Sequence, residues 1–158
     1  MTRTITKFLA LSTDDRWLLV QAILALPLIR ATLALGSSRR CLETLDRLTP
    51  RRMGDAASSF GSRQGAARAA WLVDVASRRF STDASCLVRS IALWWLLRRR
   101  GIPVEIRIGV RRQGERFEAH AWVEHFDCVL NDDADVADRF APFETLESLF
   151  PPLGARVR

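Results

Sequence analysis

From Cys86 to Arg100 the chain is apolar almost without interruption, and Gly101 and Pro103 close the run. A helix that is apolar on nearly every side has to be covered on nearly every side, so this segment belongs at the centre of the fold. Arg98, Arg99 and Arg100 suit the negative end of such a helix, and Gly101 followed by Pro103 ends it. The period then changes. Val104, Ile106, Ile108 and Val110 alternate with Glu105, Arg107 and Gly109, which is strand patterning. Gln113-Gly114-Glu115 makes a turn. A second strand follows, with Phe117, Ala119, Ala121 and Val123 on one face and Glu118, His120, Trp122 and Glu124 on the other. A tight turn near Phe126-Asp127 leads into a third strand from Cys128 to Asn131. These elements define an α+β fold: a helical N-terminal half, then a central helix bearing Cys86 packed on a small antiparallel sheet.

The N-terminal half reads as helical throughout. Asp14-Asp15 suit the cap and first turn of a helix from Trp17. Pro27 lies inside the apolar run to Leu35 and predicts a buried, kinked helix pair. A short helix is expected from Arg40 to Leu48, stopped by Thr49-Pro50. Residues 54–65, rich in glycine and serine, read as a flexible connection. A helix is expected from Ala66 to Phe80, and Ser81-Thr82-Asp83 supply cap candidates for the helix of Cys86. This divides the chain into a helical region over 1–65 and a core over 66–158. The doublet Trp94-Trp95, with Trp71 and Trp122, is expected to fill the core. Within Trp17–Leu35, Gln21, Pro27 and Arg30 argue against a transmembrane segment, and the start lacks the pattern of a signal peptide.

The formal net charge of +6 invites a nucleic-acid reading, but the basic residues do not gather on one recognition element. All of them except Lys7 are arginine, in scattered pairs such as Arg39-Arg40, Arg51-Arg52, Arg78-Arg79 and Arg111-Arg112. No nucleic-acid partner is expected. The basic excess falls in residues 1–80, where it suits an acidic peptide or partner. Three cysteines, an odd and widely spaced set, form no disulfide framework and point to a reducing, cytoplasmic setting.

Three residues carry a chemistry. Cys86 opens a helix, where the dipole and unpaired N–H groups favour a thiolate and can hold an oxyanion. His120 lies on a strand between the small Ala119 and Ala121, which leave room for another element to approach. Asp132 ends the third strand, and Asp133 follows as the alternative. A carboxylate one strand from the histidine can accept its Nδ1–H and fix its tautomer. Nucleophile, general base and orienting carboxylate thus occur as Cys86, His120 and Asp132, with Asp133 as the alternative carboxylate.

No metal is expected. There is no CxxC or HxxxH pair for zinc. Asp133, Asp135 and Glu144 have the outline of a calcium loop, but Asp138 stands where that loop needs glycine and Ala137 where it needs a ligand. No phosphate-binding or dinucleotide-binding glycine motif occurs, and no cofactor is expected.

The strings Cys86 to Leu93, Leu96 to Pro103, Ile108 to Arg111 and Ala119 to Glu124 resemble the lasso peptide maturation proteases, which belong to the transglutaminase-like, papain-related cysteine peptidases. The resemblance covers roughly residues 66–145. It implies that Cys86 is the nucleophile, His120 the base and Asp132 the third member. It implies removal of a leader from a ribosomally made precursor peptide, before a separate ATP-dependent cyclase closes the ring. The helical first half resembles the split type without a fused leader-recognition domain, which implies a separate leader-binding protein as partner. An acyltransferase using the same triad and a non-catalytic partner protein are the alternatives.

Overall fold

The computed structural model describes residues 10–35, 41, 44, 45, 47, 49, 63–79 and 85–145, with the side chains of 143–145 left aside. Helix α1 (Thr13–Leu35) buries Leu18, Leu19, Ala22, Ala25, Leu26 and Ile29 along one side. It packs on α2 (Arg63–Ser77) and on α3 (Cys86–Arg98). The kinked pair expected around Pro27 is instead one unbroken helix. An internal proline costs about 3 kcal/mol, whereas burying a large aliphatic side chain contributes about 1.5–3 kcal/mol. Leu18, Leu19, Leu26 and Ile29, all at most 8% exposed, therefore outweigh it. Trp17, Leu24 and Leu28 face out on the other side of α1. By length and composition α1 could also cross a bilayer, although a third of its most apolar window is buried in the protein.

Helix α2 begins at Arg63, so the last residues of the expected glycine-serine connection are helical, with Gly65 and Ala66 buried. Residues 54–62 and the cap candidates Ser81, Thr82 and Asp83 lie outside the described residues, as does most of the helix expected at Arg40–Leu48. The observed cap of α3 is Ser85, whose Oγ accepts a hydrogen bond from Val88 N at 3.4 Å. Helix α3 is central, as its composition requires: Ile91, Ala92, Leu93, Leu96 and Leu97 are fully buried. At its far end Arg100 donates to Leu96 O at 2.8 Å and to Gln21 Oε1 at 2.7 Å, tying α3 to α1.

Among the described residues, four antiparallel strands form one sheet in the order β3-β2-β1-β4. They are β1 (Glu105–Gln113), β2 (Arg116–His125), β3 (Cys128–Val129) and β4 (Ala141–Thr145), with a short helix α4 (Val136–Arg139) before β4. Gly114, at φ 65°, turns β1 into β2, and Phe126 and Asp127, at φ 46° and 60°, turn β2 into β3. Paired positive φ values match the right-handed twist of a hairpin, and here two non-glycine residues carry them. The expected third strand shrinks to two residues. A fourth strand that the alternation did not reveal pairs with the far edge of β1 and carries Pro142, a residue an edge strand tolerates.

Both faces of β2 are covered. Ala121 and Val123 belong to the side packed by α3, whereas Trp122 forms a second, smaller core with Val136 and Phe140 on the opposite side. Trp94 and Trp122 are core residues as expected, but Trp71 is 47% exposed, with the Arg68 guanidinium 4.3 Å above its ring.

Candidate active site

His120 stands on β2 directly opposite Gly109 of β1. Gly109 has no side chain, and that space admits two rings. A Cβ there would lie 2.8 Å from Phe140 Cβ and 2.9 Å from Trp122 Cη2. Phe140 in turn stacks on the imidazole at a centroid distance of 4.8 Å, with Arg111 above the phenyl ring at 4.6 Å. The histidine is therefore walled on one side by an aromatic ring that a strand glycine lets in.

After Val129 the chain leaves the β ladder but keeps to the edge of β2. Leu130 N donates to Val123 O at 2.9 Å, and Asn131 Oδ1 accepts from Val123 N at 2.7 Å. This path delivers Asp132 to His120, with Oδ2 at 2.6 Å from Nε2. Oδ1 accepts from the Asp133 N–H at 2.9 Å and from Arg139 of α4, also at 2.9 Å. Burial alone would push this carboxyl up, but the bonds from His120, Asp133 N and Arg139 outweigh it and hold it below the usual carboxylate range.

Asp132, not Asp133, is thus the partner of the histidine; the Asp133 side chain is 86% exposed and pairs with Arg139. The ring nitrogen differs from expectation, since the carboxylate takes Nε2 and Nδ1 remains as the nitrogen available to act as a base. The reason is geometric. Asp132 approaches along the strand edge from the β3 side, and the far nitrogen of the ring is the one it reaches.

Cys86 occupies the first position of α3, half-buried and free of any disulfide. It is not hydrogen-bonded to His120 in this structure. The fold joins imidazole and carboxylate directly, but His120 shares its face of β2 with Trp122 and stacks on Phe140, on the side opposite the one α3 covers, and Cys86 is not brought into contact with it. Between α2, α3 and the segment after β3 lies a cleft of about 330 Å³ lined by Trp71, Asp74, Arg89, Leu130 and Asp132. Arg89 lies 3.5 Å from Asp74 across it. Among the described residues no group of three or more His, Cys, Asp or Glu side chains is placed to hold a metal.

Sequence patterning did not single out Gly109, Phe140, Arg139 or Ser90. A glycine inside an alternating strand was the one signal available, since such a glycine often marks a close approach.

The α+β fold thus holds a cysteine at a helix start and, later in the chain, a strand histidine hydrogen-bonded to an aspartate. The family model of the transglutaminase-like superfamily matches residues 19–145, and the chain belongs to that superfamily, which includes cysteine peptidases and acyltransferases. The match takes in α2, α3 and the whole sheet, and most of α1. Neither the curated proteins nor the solved structures give a match.

Proposed function

We propose that the chain is a cysteine peptidase that removes the leader from a ribosomally made lasso precursor peptide. Cys86, His120 and Asp132 act as nucleophile, base and orienting carboxylate. The observation that carries this reading is the bond from His120 Nε2 to Asp132 Oδ2 at 2.6 Å in a chain of the transglutaminase-like superfamily. With Nε2–H donated to the carboxylate, Nδ1 takes the Cys86 proton and the thiolate attacks the carbonyl at the leader–core junction. N–H groups at the start of α3 help hold the oxyanion. The imidazolium returns its proton to the departing amine, and water hydrolyses the thioester. The cleft beside Asp132, with Trp71 and Arg89 on its walls, offers the peptide an aromatic and a cationic contact.

The lasso assignment rests on the resemblance of the segments around Cys86 and His120. It carries with it a cytoplasmic reaction, a separate leader-binding protein that presents the precursor and a separate cyclase that uses the product. The test is mass spectrometry of a lasso precursor incubated with its leader-binding protein and either the wild-type chain or Cys86→Ala. One cut at the leader–core junction, made by wild type alone, is expected. Equal cutting by both proteins would remove Cys86 from the mechanism. An amine-linked product in place of a free acid would make the chain an acyltransferase.

A further inference from the structure

Ser90 is a fully buried serine one turn beyond Cys86 on α3. Its hydroxyl donates to Ala121 O at 2.9 Å and accepts from Asn131 Nδ2 at 2.9 Å. Asn131 Oδ1 accepts from Val123 N at 2.7 Å. Ala121 is the residue after His120, and Asn131 is the residue before Asp132. One serine and one asparagine therefore link the three segments that carry the three proposed catalytic residues, each link lying within one residue or one helical turn of the residue it serves.

The location of these bonds is informative. The β ladder between β2 and β3 ends at Val129, so beyond it the edge of β2 has no strand partner among the described residues. Ala121 O and Val123 N on that edge are satisfied by Ser90 and Asn131 in place of a strand. A buried polar network of this kind is rigid when every member is paired, and losing one member leaves its partners unsatisfied.

We propose that Ser90 and Asn131 are positioning residues that hold the start of α3 in register with His120 and Asp132, and so keep the Cys86 thiol within reach of the base. This rests on the triad reading above. A mere filling of the core would stabilise the fold without any specific effect on the thiol, whereas a register clamp governs how well His120 activates it. Misplacing reacting groups by about 1 Å can cost on the order of 100-fold in rate.

The test measures the rate of Cys86 alkylation by iodoacetamide at about pH 6, where an activated thiol stands out from an ordinary one. Peptide mass mapping separates Cys86 from Cys41 and Cys128. Ser90→Ala and Asn131→Asp are compared with wild type, with His120→Ala and with Ile91→Val, which loosens the same buried helix without touching the network. Asn131→Asp keeps an acceptor for Val123 N but has no amide to donate to Ser90, so it carries the test if Ser90→Ala does not fold.

The expected result is a drop of at least about tenfold for both network variants, toward the His120→Ala rate, with Ile91→Val close to wild type. On precursor cleavage the same variants lower kcat and leave KM unchanged. Wild-type alkylation in both network variants, with His120→Ala slow, would overturn the clamp and leave the triad standing. An equal drop in Ile91→Val would reduce the effect to general loosening and also overturn the clamp. If His120→Ala reacts as fast as wild type, the triad reading itself falls and the clamp with it.

Discussion

His120 Nε2 lies 2.6 Å from Asp132 Oδ2, and the carboxylate's other oxygen is held by Arg139 at 2.9 Å. The pair fixes which nitrogen of the ring carries the proton and leaves Nδ1 to accept one. Replacing the carboxylate with an amide keeps the shape but allows the wrong tautomer. In the serine-protease form of this arrangement, that change costs about 10⁴ in kcat. Asp132→Asn is expected to lower kcat for precursor cleavage by roughly 10²- to 10⁴-fold. Steady-state kinetics check this, and activity within a fewfold of wild type would show that Asp132 does not orient the base.

Among the described residues, Arg139 meets the His120–Asp132 pair through Asp132. It reaches Asp132, Asp133 and Asp135 from α4, with a side chain 37% exposed. Exposed ion pairs contribute little to stability, so Arg139→Ala should barely change the melting temperature. Its effect falls instead on the freedom of the Asp132 carboxylate, and kcat is expected to drop by at most about tenfold with KM unchanged, well short of the loss on removing the carboxylate. Arg139→Lys, which restores one donor without the planar fork, is expected to recover part of that loss. Kinetics on the three proteins side by side decide it.

What the sequence disclosed depended on the range of the interaction. The apolar surface of α3 declared that it is buried, because every side chain on it needs cover, and the alternation along β1 and β2 declared strands. His120 and Asp132 could be paired in principle, but the choice between Asp132 and Asp133 depended on how the chain runs after Val129. That path is set by Asn131 and Ser90, which are distant in sequence and meet only when α3 docks on the edge of β2. Strand β4 was hidden for a similar reason, since Ala141–Thr145 is short, contains a proline and is held by pairing with β1 across a register shift. Pro27 misled because local backbone cost is visible in a sequence, while the burial of Leu26 and Ile29 that offsets it is not. The tryptophans predict core fillers, but α2 turns Trp71 toward the cleft beside Asp132, because which side of a helix meets a neighbour depends on how the helices dock.

Gly109 is the residue through which the second core and the site constrain each other. A methyl group there would meet Phe140 Cβ at 2.8 Å and the Trp122 ring at 2.9 Å, closer than carbon atoms pack. Trp122 is fully buried and Phe140 is 3% exposed, so neither has room to retreat. Gly109→Ala is expected to destabilise the protein by about 1–3 kcal/mol, the usual cost of overpacking. Because Phe140 stacks on His120, activity should fall by more than the folded fraction lost. Thermal melts paired with cleavage rates at a temperature where both proteins are folded separate the two effects. A variant that melts like wild type would mean that the rings yield at no cost.

The lowered Asp132 carboxyl makes stability depend on acid in a definite direction. Burial raises it, and the hydrogen bonds from His120, Asp133 N and Arg139 overcome that, so the folded protein releases this proton more readily than the unfolded chain. Between the two values the unfolded state binds more protons, and stability rises with pH. The contribution is complete above the unfolded value of about 3.9 and disappears as pH falls through the lower folded value. Asp132→Asn has no proton to lose and should lack this part of the acid limb. Melting temperatures of the two proteins are therefore expected to differ by a constant amount above about pH 5 and to draw together below about pH 4. Arg139→Ala, which removes one of the bonds holding the carboxyl down, should move the wild-type acid limb toward higher pH. Parallel melting curves for wild type and Asp132→Asn across the acid range would show that the carboxylate is not held by its neighbours.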